Sequence, residues 1–558
     1  MLQRTLVATG VWALAAVAGA QTATNPAPPR DASGPRKAGT AVVRGRVVAA
    51  DSGQPLRKAQ VRVSSPEMRE TRVATTDAGG KYEFRELPAG RYSLFVSKGS
   101  YVSLSYGQMR PFEPGKPLEI ADGQTIEKVD FALPRGSIVT GRIVDEFGEP
   151  ATDVNVSLQR FSYVSGRRRL VSAGRSASTN DIGEFRLFAI PPGQYYLAAT
   201  LRNMNSPMES TDDRSGYAPT YFPNTPNIAE AQRITLAVGQ TLTDLNMSLI
   251  PTKLARISGT AVDSQGRAVG GMVNPRLRSD DFSGFNFIMP AQIRPDGTFA
   301  INGLSAGSYR LQASFGMGGN DGESASVDVT VNGEDVTDVR IVGSKPVTAA
   351  GRLVVDAAIA SALQPAAMRV MLMSPPDDSG VSYGGAFTSV HDDFTFEAKA
   401  RPGLLRVSVN PLPPGWGIRA VRYKGTDVID SGIEFRPNED VADIEVELTN
   451  RMPEVSGRVT NARGDIQKDY TVVLFPEDHD KWTAANTRYM RSGRPDQDGR
   501  FKLSTLPPGS YLIVAVDQIE QGEWMDPDFL ERMREKATGI AVGDGDAKSV
   551  DLKLNSAS

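Results

Sequence analysis

The chain has 558 residues, with 62 basic and 65 acidic side chains, two histidines and no cysteine. So balanced a charge leaves no electrostatic case for nucleic acid or an anionic membrane as partner, and the missing cysteine excludes disulfides and a thiol-linked lipid anchor. At ~100 to 200 residues per domain, the length allows about three to five domains.

The N-terminus reads as a secretory signal over 1–20: Arg4, an apolar run over 6–18 and the small-residue site Ala18-Gly19-Ala20 before Gln21. That run is too short to span a bilayer, and no later stretch approaches the ~18 to 20 apolar residues of a membrane helix. The expectation is an exported chain, periplasmic or extracellular, with no membrane span in its mature form. Residues 21–40, rich in Pro, Ala, Ser and Thr, read as a flexible leader.

From residue 41 the chain repeats itself. A short strand opens each unit, as in Val43-Arg44-Gly45-Arg46-Val47 and Thr140-Gly141-Arg142-Ile143-Val144, with later copies at Gly259, Gly351 and Gly457. A Gly/Pro turn follows, then an alternating run such as Ala59-Gln60-Val61-Arg62-Val63, which fits a strand buried on one face of an antiparallel sheet. Next comes the most regular stretch, seen at 496–515 as Asp-x-Asp-Gly-x-Phe followed by Leu-Pro-Pro-Gly-x-Tyr. Aligning its first aromatic (Tyr82, Phe185, Phe299, Phe394, Phe501) gives spacings of 103, 114, 95 and 107 residues. In four copies a tyrosine follows ten residues later, at 92, 195, 309 and 511. Two strands joined by a tight Pro-Gly link explain this spacing. Each unit closes on another alternating strand, such as Val129-Asp130-Phe131-Ala132-Leu133, and Pro134, Pro251, Pro346 and Pro453 mark the junctions.

Units of this length can bury their own cores, unlike solenoid repeats of ~20 to 50 residues. The expected organisation is five β-sandwich repeats at 41–134, 135–251, 252–345, 346–452 (divergent) and 453–558. One helix is expected over 526–537, with Asp526 as cap, Pro527 in the first turn, and Phe529, Leu530, Met533 and Ala537 on one face, packed onto its own sandwich.

Gly-Arg-Val, Gly-x-Pro, Asp-x-Gly-x-Phe and Leu-Pro-Pro-Gly-x-Tyr together resemble the carboxypeptidase regulatory-like domain, a transthyretin-like sandwich related to Cna-B and starch-binding-like modules. The likeness spans nearly all of the chain after the leader, strongest in units one, two and five; unit four has Leu405 for the tyrosine and Asp392-Asp393 without the glycine. It implies an all-β fold of five tandem Ig-like/transthyretin-like antiparallel β-sandwich domains and an exported setting. It does not imply a chemistry. In zinc carboxypeptidases that carry this module, the metal ligands belong to a separate catalytic domain.

No catalytic constellation emerges. His391 and His479 lie in different units and in neither of the helical zinc motifs. Gly303-Leu304-Ser305-Ala306-Gly307 matches a nucleophile elbow, but it aligns with Leu87-Pro88-Ala89-Gly90, a strand-to-strand link where an elbow needs strand to helix. Gly316, Gly318 and Gly319 lack the third glycine of a dinucleotide loop. Asp496 and Asp498 are candidate calcium ligands beside a turn, a reading weaker than the turn itself because an EF-hand would need a ligand where Pro507 stands. No cofactor is expected. The run Arg167-Arg168-Arg169 reads as a solvated loop.

Carbohydrate binding needs ring faces displayed on loops. The candidates are Tyr101 and Tyr106 in unit one, Tyr217, Tyr221 and Phe222 in a long insertion of unit two, and Trp416, Trp482 and Trp524; the alternative for each is cover for a sandwich edge. The expected function is a secreted, non-enzymatic binding or scaffold protein whose partner is a polysaccharide or another envelope or extracellular protein. The alternative is a structural or adhesive stalk.

Overall fold

In the first repeat the opening strand Ala41–Ala49 pairs antiparallel with Lys81–Leu87. On a second sheet Gln60–Ser64 lies between Arg72–Thr75 and Gly90–Ser97. Val61, Val63, Tyr92, Leu94 and Val96 point inward from that sheet and meet Val43, Val47, Tyr82 and Phe84 of the other. This is the period-two alternation of a sheet buried on one face. The computed structural model describes residues 39–68, 70–201, 215–278, 289–316, 322–375, 385–483 and 488–557, so the stretches expected as signal (1–20) and, for the most part, as leader (21–40) lie outside the described residues. No helix among the described residues is long and apolar enough to cross a membrane.

The opening strands Ser137–Val144, Ala255–Val262, Val347–Val354 and Glu454–Thr460 are paired in the same way. The closing strand of every copy runs parallel to the opening one, as Phe131–Leu133 does beside Val47, Val48 and Ala49. Alternation alone suggested antiparallel neighbours throughout. Parallel first and last strands deliver the chain to the end of the repeat opposite its entry, which suits tandem linkage.

The glycine of the opening strand has a steric reason. A Cβ at Gly45, Gly141, Gly259, Gly351 or Gly457 would sit 1.9 to 2.2 Å from the carbonyl oxygen of Val129, Leu245, Val339, Ile444 or Val550, which lie just before the closing strand or within it. Each of these glycines also faces the first aromatic of the repeat across the sheet: Tyr82, Phe185, Phe299, Phe396 and Phe501.

That register corrects the alignment of the fourth repeat. Phe396 stands opposite Gly351, whereas Phe394 occupies the turn position that Gly80, Gly183, Gly297 and Gly499 fill elsewhere, with φ of 67° against their 73° to 81°. The fourth hairpin also pairs without the register shift of the first three, where Glu86, Ala189 and Gly303 adopt positive φ. Such a shift is a bulge, one extra residue on one strand. Losing it puts Leu405 nine residues after Phe396 instead of ten.

Buried apolar side chains form one cluster in each of the stretches 41–133, 139–249, 255–341, 347–448 and 455–552. A sixth cluster lies on the outer face of the last repeat, where the helix Pro527–Arg534 lays Phe529, Leu530 and Met533 over Val473, Phe475, Val514 and Val516. Asp526 caps that helix by accepting from the Asp528 amide at 3.3 Å. The helix is amphipathic and packs on its own sandwich, ending three residues short of the expected 537.

The basic run of the second repeat is not a loop. Arg167–Ser178 and Val154–Val164 form a long hairpin, with Arg167, Arg168 and Arg169 in its first rungs and Arg169 only 1% exposed. The Arg168 guanidinium sits 5.0 Å from the Phe161 ring, which meets Tyr196 edge-on.

Candidate functional site

The repeated motif is occupied by its own architecture. In the fifth repeat Asp496 Oδ1 accepts from the amides of Asp498 and Arg500, at 2.8 and 2.9 Å, and this closes the turn. Tyr511 is buried, and its hydroxyl donates to the carbonyl of Pro507 at 2.7 Å. Tyr92, Tyr195 and Tyr309 make the same bond to Pro88, Pro191 and Ser305, at 2.6 to 2.8 Å. Burial raises the pKa of each of these phenols, Tyr92 to about 12. Ser305 lies in the link between Thr298–Leu304 and Gly307–Phe315, beside the Tyr309 hydroxyl. Asp498 faces the first repeat, where its charge adds to the burial that raises the Tyr106 phenol. Among the described residues no three His, Asp or Glu side chains converge as a metal set. His391 is on an exposed turn, and the His479 ring lies 4.6 Å from Trp482.

The aromatic candidates are dispersed. Trp416 is 8% exposed in the fourth core, and Trp482 is 3% exposed, with its indole N–H donating to Pro476 O at 2.7 Å. Tyr106 meets Phe131 edge-on, and Tyr101 bridges to Arg135, whose guanidinium stands 5.7 Å from its ring at the junction of repeats one and two. Phe222 packs on the second core, and Tyr221 pairs with Ala198 and is half-buried. Tyr217 donates to Glu146 at 2.5 Å, a bond that pushes its pKa up to about 12. Trp524 rests against the outer cluster of the fifth repeat. Trp416 and Trp482 offer no open ring face, and the other six rings are half-buried.

Sequence reasoning passed over four exposed rings, Phe95, Phe147, Phe188 and Phe387, of which two stand out. Phe147 is 81% exposed at the tip of the turn that carries Glu146, and Phe387 is 60% exposed in the strand Gly385–Ser389. An aromatic between turn residues, where neither core period requires one, was the available signal for Phe147. Also missed was an open cleft of about 440 Å³ in the fifth repeat, between 476–481 and 508–511. Pro476, Pro508 and Tyr489 form its apolar surface, and Glu477, Asp478 and Lys481 its polar rim. Lys481 Nζ lies 4.9 Å from the Tyr489 ring, and the Tyr489 hydroxyl donates to Asp430 of the fourth repeat at 2.8 Å. Burial, then that bond, raises the Tyr489 phenol. The lining comes from three separate stretches of one repeat, 476–481, 489 and 508–511, which have no local pattern in common.

The fifth repeat also touches its neighbours through charged and polar side chains. Arg488 pairs with Asp430 at 2.7 Å. Arg494, its side chain 3% exposed, pairs with Glu113 of the first repeat at 2.7 Å and with Asp469 of its own. Gln497 engages both backbone groups of Glu119, accepting from its amide at 3.1 Å and donating to its carbonyl at 3.0 Å. Lys116 reaches Asp469 at 3.1 Å.

Residues 42–134 match the family model of the carboxypeptidase regulatory-like domain. No curated protein is similar enough to the chain to count as a match. Among solved structures the chain is similar to the TIE protein of Bacillus anthracis, at 14% identity over 55% of this chain and 51% of that one, with a TM-score of 0.16. It is also similar to a streptococcal ancillary pilin, at 15% identity over 54% and 98% with a TM-score of 0.20. A third likeness is to two B repeat units of the collagen-binding protein of Staphylococcus aureus, at 13% identity over 73% and 99% with a TM-score of 0.13. The chain thus spans about half the length of the Bacillus protein. At these scores none of the three bears on partner or role.

Proposed function

We propose that this chain is an exported, non-enzymatic scaffold and binding protein, whose repeats hold copy-specific surfaces toward a polysaccharide or another extracellular protein. The cleft of the fifth repeat carries this reading: its Pro and Tyr walls suit the C–H faces of a sugar ring, while Glu477, Asp478 and Lys481 are placed for hydroxyl groups. Phe147, beside the Glu146–Tyr217 pair, is the second proposed contact. The motif residues support the reading from the other side, since their polar groups close turns and satisfy links in copy after copy.

Binding of the full chain to a panel of polysaccharides tests the ligand class. Loss of a bound polysaccharide on Lys481→Ala or Glu477→Ala supports the cleft. Uniformly null binding removes the carbohydrate version and leaves a protein partner. Export is proposed from residues 1–20 and is tested by N-terminal sequencing of the mature protein, expected to begin at Gln21. The stalk alternative rests on five units in series, and the contacts of the fifth repeat with the first and fourth favour the scaffold over it.

A further inference from the structure

We propose that the fifth repeat is an intramolecular clasp, seated on segment 113–120 of the first repeat and on the hairpin tip of the second, and that it covers an open sheet edge there. The clasp belongs to the chain's own architecture and is independent of the ligand the cleft takes.

The edge is the strand Leu118–Ile120, which pairs on one side with Gly90–Ser97. An unpaired edge presents backbone donors and acceptors ready for a further strand. Gln497 supplies one rung of such a strand with a single side chain: its amide oxygen accepts from Glu119 N–H, and its amide nitrogen donates to Glu119 C=O. A primary amide has the donor and acceptor of a peptide unit, so this reciprocal pair fits a backbone site.

Beside it lies a buried ionic group. A guanidinium taken out of water is tolerated only when paired and hydrogen-bonded. Arg494 pairs with Glu113 and Asp469 and donates to Pro114 O at 3.1 Å. Two of its three partners come from the first repeat, about 380 positions away. Lys116 of the first repeat answers with the fifth repeat's Asp469 and the carbonyl of Lys468.

The second seat requires two glycines. Gly166, at the tip of the long hairpin, and Gly522 both adopt left-handed φ, at 76° and 88°. A Cβ on Gly166 would come within 2.2 Å of Met525 O, and one on Gly522 within 2.4 Å of Tyr163 O. Each surface is therefore cut to admit the backbone of the other. The hairpin brings Arg160, and the loop it meets brings Glu520 and Glu523; Arg160 stands 3.8 Å from the ring of Phe112, which the first repeat lays against Tyr195 of the second. The entropy of closing so long a loop grows only with the logarithm of its length, so a modest contact suffices to hold it.

The chain has no cysteine, so a pair can be introduced cleanly. Full-length protein carrying Glu119→Cys and Gln497→Cys is expected to cross-link within one molecule under mild oxidation or with a short bis-maleimide, giving a monomer of altered mobility on a non-reducing gel. Adding Arg494→Ala is expected to slow that reaction about tenfold. X-ray scattering of the Arg494→Ala/Gln497→Ala protein is expected to give a larger radius of gyration than the parent, with unchanged far-ultraviolet circular dichroism. Absence of the cross-link, or a cross-link only between two copies, overturns the clasp. So does a parent protein that already scatters as an extended string, and a rate unmoved by Arg494→Ala overturns the ionic part of it.

Discussion

The turns at 77–80 and 496–499 are the same local structure in different surroundings. In both, an aspartate carboxylate accepts from the amide four residues on, at 2.8 Å from Lys81 and 2.9 Å from Arg500, and a left-handed glycine completes the turn. In the first repeat the residue after the aspartate is Ala78, exposed, and Thr75 two positions before it is exposed too. In the fifth repeat these positions are Gln497 and Arg494, and both reach the first repeat. Residues common to the copies thus build the hairpin, while residues peculiar to one copy make contact outside it.

The largest effects are expected where the two copies agree. Gly45→Ala and Gly457→Ala each drive a Cβ to 1.9 Å from a carbonyl of the crossing segment, so both are expected to destabilise their own repeat by about 3 kcal/mol or more, read in chemical denaturation. Next come changes to which only the fifth copy should respond. Arg494→Ala leaves Glu113 nearly enclosed without its cation and is expected to cost about 3 kcal/mol of the contact, whereas Thr75→Ala stays within about 0.5 kcal/mol.

Smaller effects sharpen the picture. Tyr92→Phe and Tyr511→Phe each remove a hydroxyl donor from a proline carbonyl and are expected to cost about 1 kcal/mol, alike in both repeats. Gln497→Ala removes two hydrogen bonds to Glu119, and the expected readout is faster hydrogen exchange at the Glu119 amide with the turn intact; Ala78→Asn in the first repeat leaves exchange there unchanged.

The smallest effect carries the opposite sign. Burial raises the carboxyl pKa of Glu523, on the loop that meets the second repeat. An acid whose folded pKa lies above its unfolded value favours the folded state most when protonated, and that contribution is lost as pH climbs from the ordinary carboxylate range through the raised value. Glu523→Gln is therefore expected to raise the melting temperature slightly at neutral pH and to make little difference below about pH 4.

Much of the hairpin was legible because its determinants are local. The left-handed glycine, the Pro-Gly link and the ten-residue spacing between aromatics each follow from backbone conformation within one copy. The fourth repeat shows the limit of that method: Phe394 looked like the strand aromatic, and only pairing with Gly351 identified Phe396 in its place. The aromatic candidates fared differently, because a tryptophan in a loop-like context reads the same whether it faces water or, like Trp416 and Trp482, closes a core. The basic run misled for a related reason: three consecutive arginines carry no sign of the strand partner that buries Arg169.

That the chain is built of repeated β-sandwich units, and which residues turn, link and fill them, can be read without coordinates, since those roles depend on neighbours a few positions away and recur from copy to copy. Tertiary structure alone decided that the closing strands lie parallel to the opening ones, that the cleft assembles between 476–481 and 508–511, and that Arg494 and Gln497 meet the first repeat. The parallel pairing recurs in every copy, but alternation carries no strand direction; the cleft and the contacts of Arg494 and Gln497 are each made once, and a contact made once leaves no period to read.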